Sequence, residues 1–265
     1  MSTLKSRRAL LASGLAAAVF AASGAPVSAA PRRGGLLRAA LPSAGGLFDA
    51  AVRLAGAETL TEIGPDGSLR AGLATAWEPS EGAKVWDMEI RSGVFFQDGP
   101  RLTGANVVET LAPVADDLSL VAPLRVRLAL PAPDPDLPLR LSGADFAVLA
   151  GGRGTGLYRA VDHVPGSHYL GRRVEQHWRD GQAGWFDRVE IFGLDPAEAR
   201  LAALRRGRVD LGVGLAAHAE GVLMAGGDHV VEGAGEGLVA LSRAIGRNPG
   251  AGLDEARFAE RWWRV

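Results

Sequence analysis

The sequence predicts a mixed α/β fold, because short apolar strands alternate with helix signals along most of the chain. Leu36–Leu41 is an apolar run of strand length. Val85–Ile90 and residues 125–130 alternate between apolar and polar side chains, which is the pattern of a half-buried strand. Residues 195–198 combine an acidic cap, a proline and a second acid, and therefore predict the start of a helix. The length of 265 residues allows one large domain or two small ones.

The other elements follow from local signals. Thr103 is a suitable N-cap for a helix that ends near Leu111. The helix that starts at residues 195–198 should end near Arg206, because Gly207 follows it. The remaining predicted elements are helical turns at 49–57, turns at 64–67 and 97–100, a proline-rich loop at 131–135, strands at 189–192 and 209–213, and a final helix at 254–263.

The N-terminus has the pattern of an export signal. A basic stretch that includes Arg7 and Arg8 precedes an apolar run over residues 9–22, which is too short for the roughly 20 residues that cross a bilayer. Small residues up to Ala29 suit a signal peptidase, so residues 1–29 are predicted to be a signal peptide. The paired arginines resemble the twin-arginine motif, and an ordinary secretory signal is the alternative.

Composition excludes several classes of function. The chain carries 29 basic and 30 acidic residues, and removal of residues 1–29 leaves 26 basic residues against 30 acidic, or −4. This balance argues against a nucleic-acid partner. The absence of cysteine excludes disulfides, thiolate metal sites, cysteine nucleophiles and a lipid anchor through cysteine. We therefore expect an exported protein that is not lipid-anchored, with the periplasm as its compartment.

Catalytic and metal-binding signatures are missing from the sequence. The histidines form no helical zinc motif, and no Gly-x-Ser-x-Gly segment marks a hydrolase serine. The glycine cluster at 151–156 lacks the Lys-Ser/Thr pair of a nucleotide loop. Arg159 stands where the dinucleotide fingerprint needs a glycine. The cluster therefore predicts a turn that requires positive φ, and we expect neither catalysis, a cofactor nor a structural metal.

Several segments, in chain order, resemble one family. Residues 90–99, IRSGVFFQDG, are similar to the pattern LRxGvxFHDG, and residues 154–158, GTGLY, are similar to GTGPY. Further similar segments lie at residues 33–41, 58–67, 73–78, 102–108 and 200–210. Together they resemble the family 5 bacterial extracellular solute-binding proteins, which are the periplasmic oligopeptide, dipeptide and nickel binders of ABC transporters.

The resemblance implies a lobe of a periplasmic binding protein over residues 30–265. It also implies a smaller β-rich subdomain near residues 45–150, inserted into a main subdomain. The sequence departs from the family at Gln97, where a histidine is usual, at Asn106, where an aspartate is usual, and at Leu157, where a proline is usual. Since only about 55 residues follow the family's final segment, we expect the second lobe to be largely missing.

The resemblance further implies a non-catalytic protein that binds a small solute, such as a peptide, and delivers it to ABC permease subunits in the membrane. In the family, backbone near the loop after the first strand pairs with an extended peptide. The matching residues here are Leu41, Pro42, Ser43, Ala44 and Phe48. Pro42 lacks a backbone N–H, so a plain turn is the alternative interpretation of this loop.

A second function also fits a single lobe. A lobe without its partner cannot close around a solute, so an interaction or accessory protein without transport activity is the alternative. A homodimer that rebuilds a cleft is one form of this alternative. Because some members of the family bind nickel, a metal solute is a further alternative.

Overall fold

The computed structural model describes residues 34–64, 67–233 and 237–242. The predicted signal peptide at 1–29 and the predicted helix at 254–263 lie outside these residues, as does part of the turn at 64–67. Within the described residues the fold is mixed α/β, as predicted. No helix in this part of the chain has the length and apolar character that a membrane crossing requires.

The structure assigns the following elements. The strands are β1 (Leu36–Leu41), β2 (Thr61–Ile63), β3 (Leu69–Ala71), β4 (Ala74–Ser80), β5 (Val85–Ile90), β6 (Asp117–Ala122), β7 (Arg125–Ala129), β8 (Leu149–Ala150), β9 (Arg153–Gly154), β10 (Tyr158–Val164), β11 (His168–Arg173), β12 (Arg188–Gly193), β13 (Leu211–Leu215), β14 (His229–Glu232) and β15 (Leu238–Ser242). The α-helices are α1 (Leu47–Gly56), α2 (Gly104–Leu111), α3 (Leu137–Arg140), α4 (Ala197–Arg205) and α5 (Ala219–Gly226).

The main sheet has seven strands in the order β10-β11-β12-β1-β13-β15-β14. β1 lies in the centre and runs parallel to both of its neighbours, β12 and β13. One face packs against α1, where Phe48 is fully buried beside Leu37 and Tyr169. The other face packs against α4 and α5 through an apolar cluster that includes Leu204 and Leu223. The central strand is therefore apolar because both faces of the sheet are covered around it.

The second sheet has four antiparallel strands in the order β4-β5-β7-β6. Its inner face carries the side chains that the alternating pattern predicts, and Trp86, Met88, Val126 and Leu128 are all buried. Helix α2 packs beside β6 and begins with a capping box, in which Asn106 Oδ1 accepts the backbone N–H of the residue at 103 at 3.0 Å. The asparagine therefore performs the capping role despite its departure from the family pattern.

The structure corrects several predicted boundaries. The helical turns predicted at 49–57 form a helix at Leu47–Gly56, and the strand predicted at 189–192 spans Arg188–Gly193. The strand predicted at 209–213 lies at Leu211–Leu215, and the strand predicted at 125–130 ends at Ala129. The residue that precedes α4 is Pro196 rather than Asp195, and no side chain caps the helix there. The capping prediction was wrong because the Asp195 carboxylate binds a different loop, which is described below.

Candidate functional site

The candidate site lies where the three parallel strands of the main sheet end. Residues 42–46 follow β1, residues 194–196 follow β12, and Gly214 lies near the end of β13. In open α/β sheets, ligands commonly bind at the carboxyl ends of the strands, near a change in strand order. The loop at residues 42–46 therefore lies at the end of the sheet where a ligand is expected.

Asp195, in the segment after β12, forms hydrogen bonds with the loop after β1 and with Arg200 on α4. Its Oδ2 accepts the backbone N–H of Ser43 at 3.1 Å and of Ala44 at 3.3 Å, and it also accepts the Ser43 hydroxyl. Its Oδ1 accepts Nη1 of the buried Arg200 at 2.9 Å. The hydrogen bond from the Ser43 hydroxyl, followed by those from Ala44, Arg200 and the Ser43 amide, lowers the pKa of Asp195. The ionised carboxylate thus fixes the loop after β1 against the start of α4.

Arg200 extends this network beneath the loops. It is 4% exposed, and its guanidinium donates to the carbonyls of Leu194 and Gly214 as well as to Asp195. This buried cation therefore links the segment after β12 to the end of β13, and Asp195 links it to the loop after β1. Sequence reasoning missed Asp195 and Arg200 because an Asp-Pro pair before a helix is also the ordinary pattern of a helix cap.

The five predicted binding residues divide into two groups. The side chains of Leu41 and Phe48 are buried in the core under the main sheet, and the Leu41 carbonyl accepts the backbone N–H of Leu194 at 2.8 Å. Pro42 and Ser43 are half-buried, and Ala44 is exposed. The loop surface thus consists of residues 42–46, held from below by Leu41 and Phe48. The role of all five residues in solute binding stays a prediction.

The glycine cluster has a structural role. Gly151 and Gly152 have φ of +56° and +77°, which confirms the predicted positive-φ turn. At Gly154, a Cβ would lie 2.1 Å from the carbonyl oxygen of Gly56, at the end of α1. Gln97 closes the same junction, since its backbone N–H donates to the Gly154 carbonyl at 3.0 Å and its Nε2 donates to the following segment. These glycines are required because two pieces of backbone approach closely.

A buried ionic cluster lies beside this junction. Arg179 Nε donates to Glu58 Oε1 at 2.9 Å, and its Nη2 donates to Glu62 Oε2 at 2.7 Å. The ring of Trp178 lies between two guanidinium groups, with Arg91 at 4.1 Å and Arg179 at 4.3 Å from its centroid. Burial acts to raise the pKa of Glu58, but a hydrogen bond with the neighbouring imidazole and the Arg179 charge outweigh it and lower the pKa. The cluster compensates the buried charge of Arg179 with two carboxylates, as a stable buried ionic group requires.

Metal-binding geometry is not found in the described part of the chain. No group of three or more histidine, aspartate or glutamate side chains lies close enough together there to hold an ion. Two charged side chains at the candidate site, Asp195 and Arg200, already form an ion pair with each other.

The family model of the bacterial extracellular solute-binding proteins, family 5 (middle region), matches residues 68–242. The chain belongs to this family. The match covers segments that carry the resemblance, including residues 90–99 and 154–158. No curated protein is significantly similar to this family 5 chain.

Solved structures share the fold of this family 5 protein. An ABC transporter substrate-binding protein from Sinorhizobium meliloti is 23% identical with a TM-score of 0.65, and the match covers 75% of this chain and 48% of that one. PBP AgaA from A. tumefaciens R10, solved with agropinic acid, is 19% identical with a TM-score of 0.67, and the match covers 74% and 47%. DppA from Helicobacter pylori, solved with the peptide STSA, is 16% identical with a TM-score of 0.65, and the match covers 76% and 51%. The chain therefore spans about half the length of the solved structures it matches.

Proposed function

We propose that this family 5 protein binds a small peptide or a related solute for an ABC import system and performs no catalysis. The observation that carries the proposal is the family match over residues 68–242. The position of the loop after β1, at the carboxyl ends of three parallel strands, supports it.

The proposed solute contacts the loop surface at residues 42–46. This loop is exposed at Ala44 and fixed at Ser43 by Asp195, so a solute would meet a preformed surface. Preformed surfaces bind with a smaller loss of conformational entropy. Because the Ser43 and Ala44 amides already donate to Asp195, a bound peptide would use other groups of the loop, or would displace this carboxylate.

Peptides are the proposed class of solute because they recur among the solved structures. DppA was solved with STSA, a dipeptide-binding protein from Pseudoalteromonas with Met-Leu, and AppA from Bacillus subtilis with a nonapeptide. NikZ from Campylobacter jejuni was solved with Ni(L-His), so a nickel complex is the alternative solute to test.

The proposal includes export. Residues 1–29 would act as a signal peptide of the twin-arginine type, and the mature protein would work in the periplasm with permease subunits as its membrane partners. The proposed domain organisation places a smaller β-rich subdomain near residues 45–150, which includes the four-stranded sheet.

Native mass spectrometry of the protein from its own cell envelope, followed by calorimetry, tests the proposal. The calorimetric probes are STSA, Met-Leu and Ni(L-His). An Ala44→Trp variant fills the exposed tip of the loop and should abolish binding, whereas Ala132→Trp, in the exposed proline-rich loop, should not. A peptide adduct or peptide binding that only Ala44→Trp removes supports the proposal. Binding of Ni(L-His) alone, a chain without adduct that binds no probe, or a stable complex with another protein would overturn it.

A further inference from the structure

Three arginines lie side by side across one edge of the main sheet. Arg159 on β10 is paired in register with Arg172 on β11, and Arg172 is paired with Arg188 on β12. Directly opposed residues in antiparallel strands project from the same face with Cα atoms about 5 Å apart. Neighbours that point the other way, Tyr158 and Arg173, are buried, so the three arginines occupy the open face.

Two of the three arginines lack an anionic partner. Arg159 pairs with Asp98, whereas Arg172 and Arg188 make no ion pair within the described residues. Directly opposed like charges destabilise a sheet. The arrangement is therefore unfavourable without a ligand, which is a common property of sites that bind ions of opposite charge.

The arginines line an open groove of about 1340 Å³. The turn at residues 97–99 also lines this groove. Two of the four acids in this groove pair with arginine, Asp180 with Arg173 and Asp98 with Arg159, and Asp187, which keeps its charge, accepts the backbone N–H of Gly35. The fourth is Glu175, which is exposed and makes no ion pair among the residues described. Arg172 and Arg188 are thus the two guanidinium groups of this groove that make no ion pair with the acids that the structure describes.

The groove is separate from the loop proposed to bind the solute. Arg188 starts β12 opposite Leu36, whereas that loop follows Leu41 at the other end of the same pairing. Five steps of about 3.3 Å along a strand separate the two ends by about 17 Å.

We propose that Arg172 and Arg188 bind a small oxyanion, a phosphate or carboxylate group of a metabolite, in this groove. A guanidinium group carries paired N–H donors whose spacing matches the two oxygens of a carboxylate or phosphate. The bound anion would also relieve the repulsion between the opposed arginines. This second site goes beyond the proposed solute site and does not depend on it.

Thermal unfolding of the full chain tests the proposal, with inorganic phosphate and citrate as probes and sodium chloride to match the ionic strength. We expect at least one probe to raise the Tm of the wild type. Arg172→Gln and Arg188→Gln should weaken that response by about tenfold in apparent affinity, because each removes a charge-assisted contact. Arg208→Gln, which removes an exposed arginine outside the groove, should keep the response.

A second measurement separates a binding role from a structural one. Without a probe, Arg172→Gln should keep or raise the Tm, since it removes a repulsion. A lower Tm with an unchanged probe response, or no response of the wild type to either probe, would overturn the proposal. A response to phosphate alone or citrate alone supports it and identifies the group that binds. The Ala44→Trp variant should respond as the wild type does, so failure of the two proposed sites can be told apart.

Discussion

Arg179 and Glu58 form a buried ion pair, with 2.9 Å between Nε and Oε1 and side chains that are 7% and 10% exposed. Arg179 also reaches Glu62, so one guanidinium satisfies two carboxylates. These residues come from the segment after α1, from β2 and from the segment after β11. The pair therefore connects regions that are distant in the chain, and its loss would leave charge without compensation inside the protein.

Arg179→Met is expected to lower the free energy of unfolding by about 3–5 kcal/mol, because it leaves Glu58 buried without its cation. Urea unfolding measures the change. Arg140→Met is the matched control, since Arg140 pairs with Asp134 at 2.9 Å with 42% of its side chain exposed. The control should change the stability by less than about 1 kcal/mol. Equal effects of the two variants would contradict this account.

Glu58 should make stability depend on acidity. Its pKa in the folded protein lies below the usual 4.5, so its ionised form stabilises the fold at neutral pH. This contribution should be lost as the pH falls from about 4.5 through the lowered pKa. The difference in unfolding free energy between the wild type and Glu58→Gln should therefore shrink in acid. Glu109→Gln, at an exposed position of α2, controls for the loss of one negative charge. A difference that stays constant down to strongly acidic pH would disprove the assignment.

Gly154→Ala should destabilise the protein by at least about 2 kcal/mol, because the added methyl group would collide with backbone. Gly221→Ala gives the opposite expectation. It lies inside α5 with nothing within 4 Å of a new Cβ, and alanine should raise the stability by about 0.5–1 kcal/mol. Denaturant midpoints of the two variants against the wild type test both signs. A tolerated alanine at 154 would show that α1 can move away.

Asp195→Ala should release the loop after β1. The amides of Ser43 and Ala44 lose their acceptor, and Arg200 loses its carboxylate partner. Hydrogen exchange of these two amides should become faster, and the Tm should fall. Asp162→Ala is the control, because Asp162 is an exposed acid that contacts His168 on the hairpin of β10 and β11. Unchanged exchange at residues 43 and 44 would mean that the carboxylate does not hold the loop.

Local patterns predicted the elements whose burial or capping leaves a clear signal in the sequence. β1, β5 and α2 have the predicted bounds, since an apolar run, an alternating run and an N-cap threonine each gave a clear local signal. β10 and β6 were missed because most of their side chains are exposed. Such strands are held by backbone pairing with a neighbour, and that pairing leaves no periodic pattern in the sequence.

The candidate site was predicted only in part. The loop after β1 was found through the family resemblance, but its fixation by Asp195 depends on a contact between distant segments. The alignment of Arg159, Arg172 and Arg188 could not be predicted from the sequence either, because it depends on the register of three strands. Local chemistry predicts which residues are available, whereas the register decides which of them meet.

β1 is the first strand in the part of the chain that the structure describes but the central strand of the main sheet, and both of its partners are synthesised much later. β1 therefore cannot pair with β12 until the ribosome has released the chain beyond Gly193, or with β13 until it has released the chain beyond Gly212. The four-stranded sheet pairs only strands between residues 74 and 129, so it can form earlier during synthesis. Until Gly193 has been released, β1 is an apolar segment without either of these partners, of the kind that chaperones shield from aggregation.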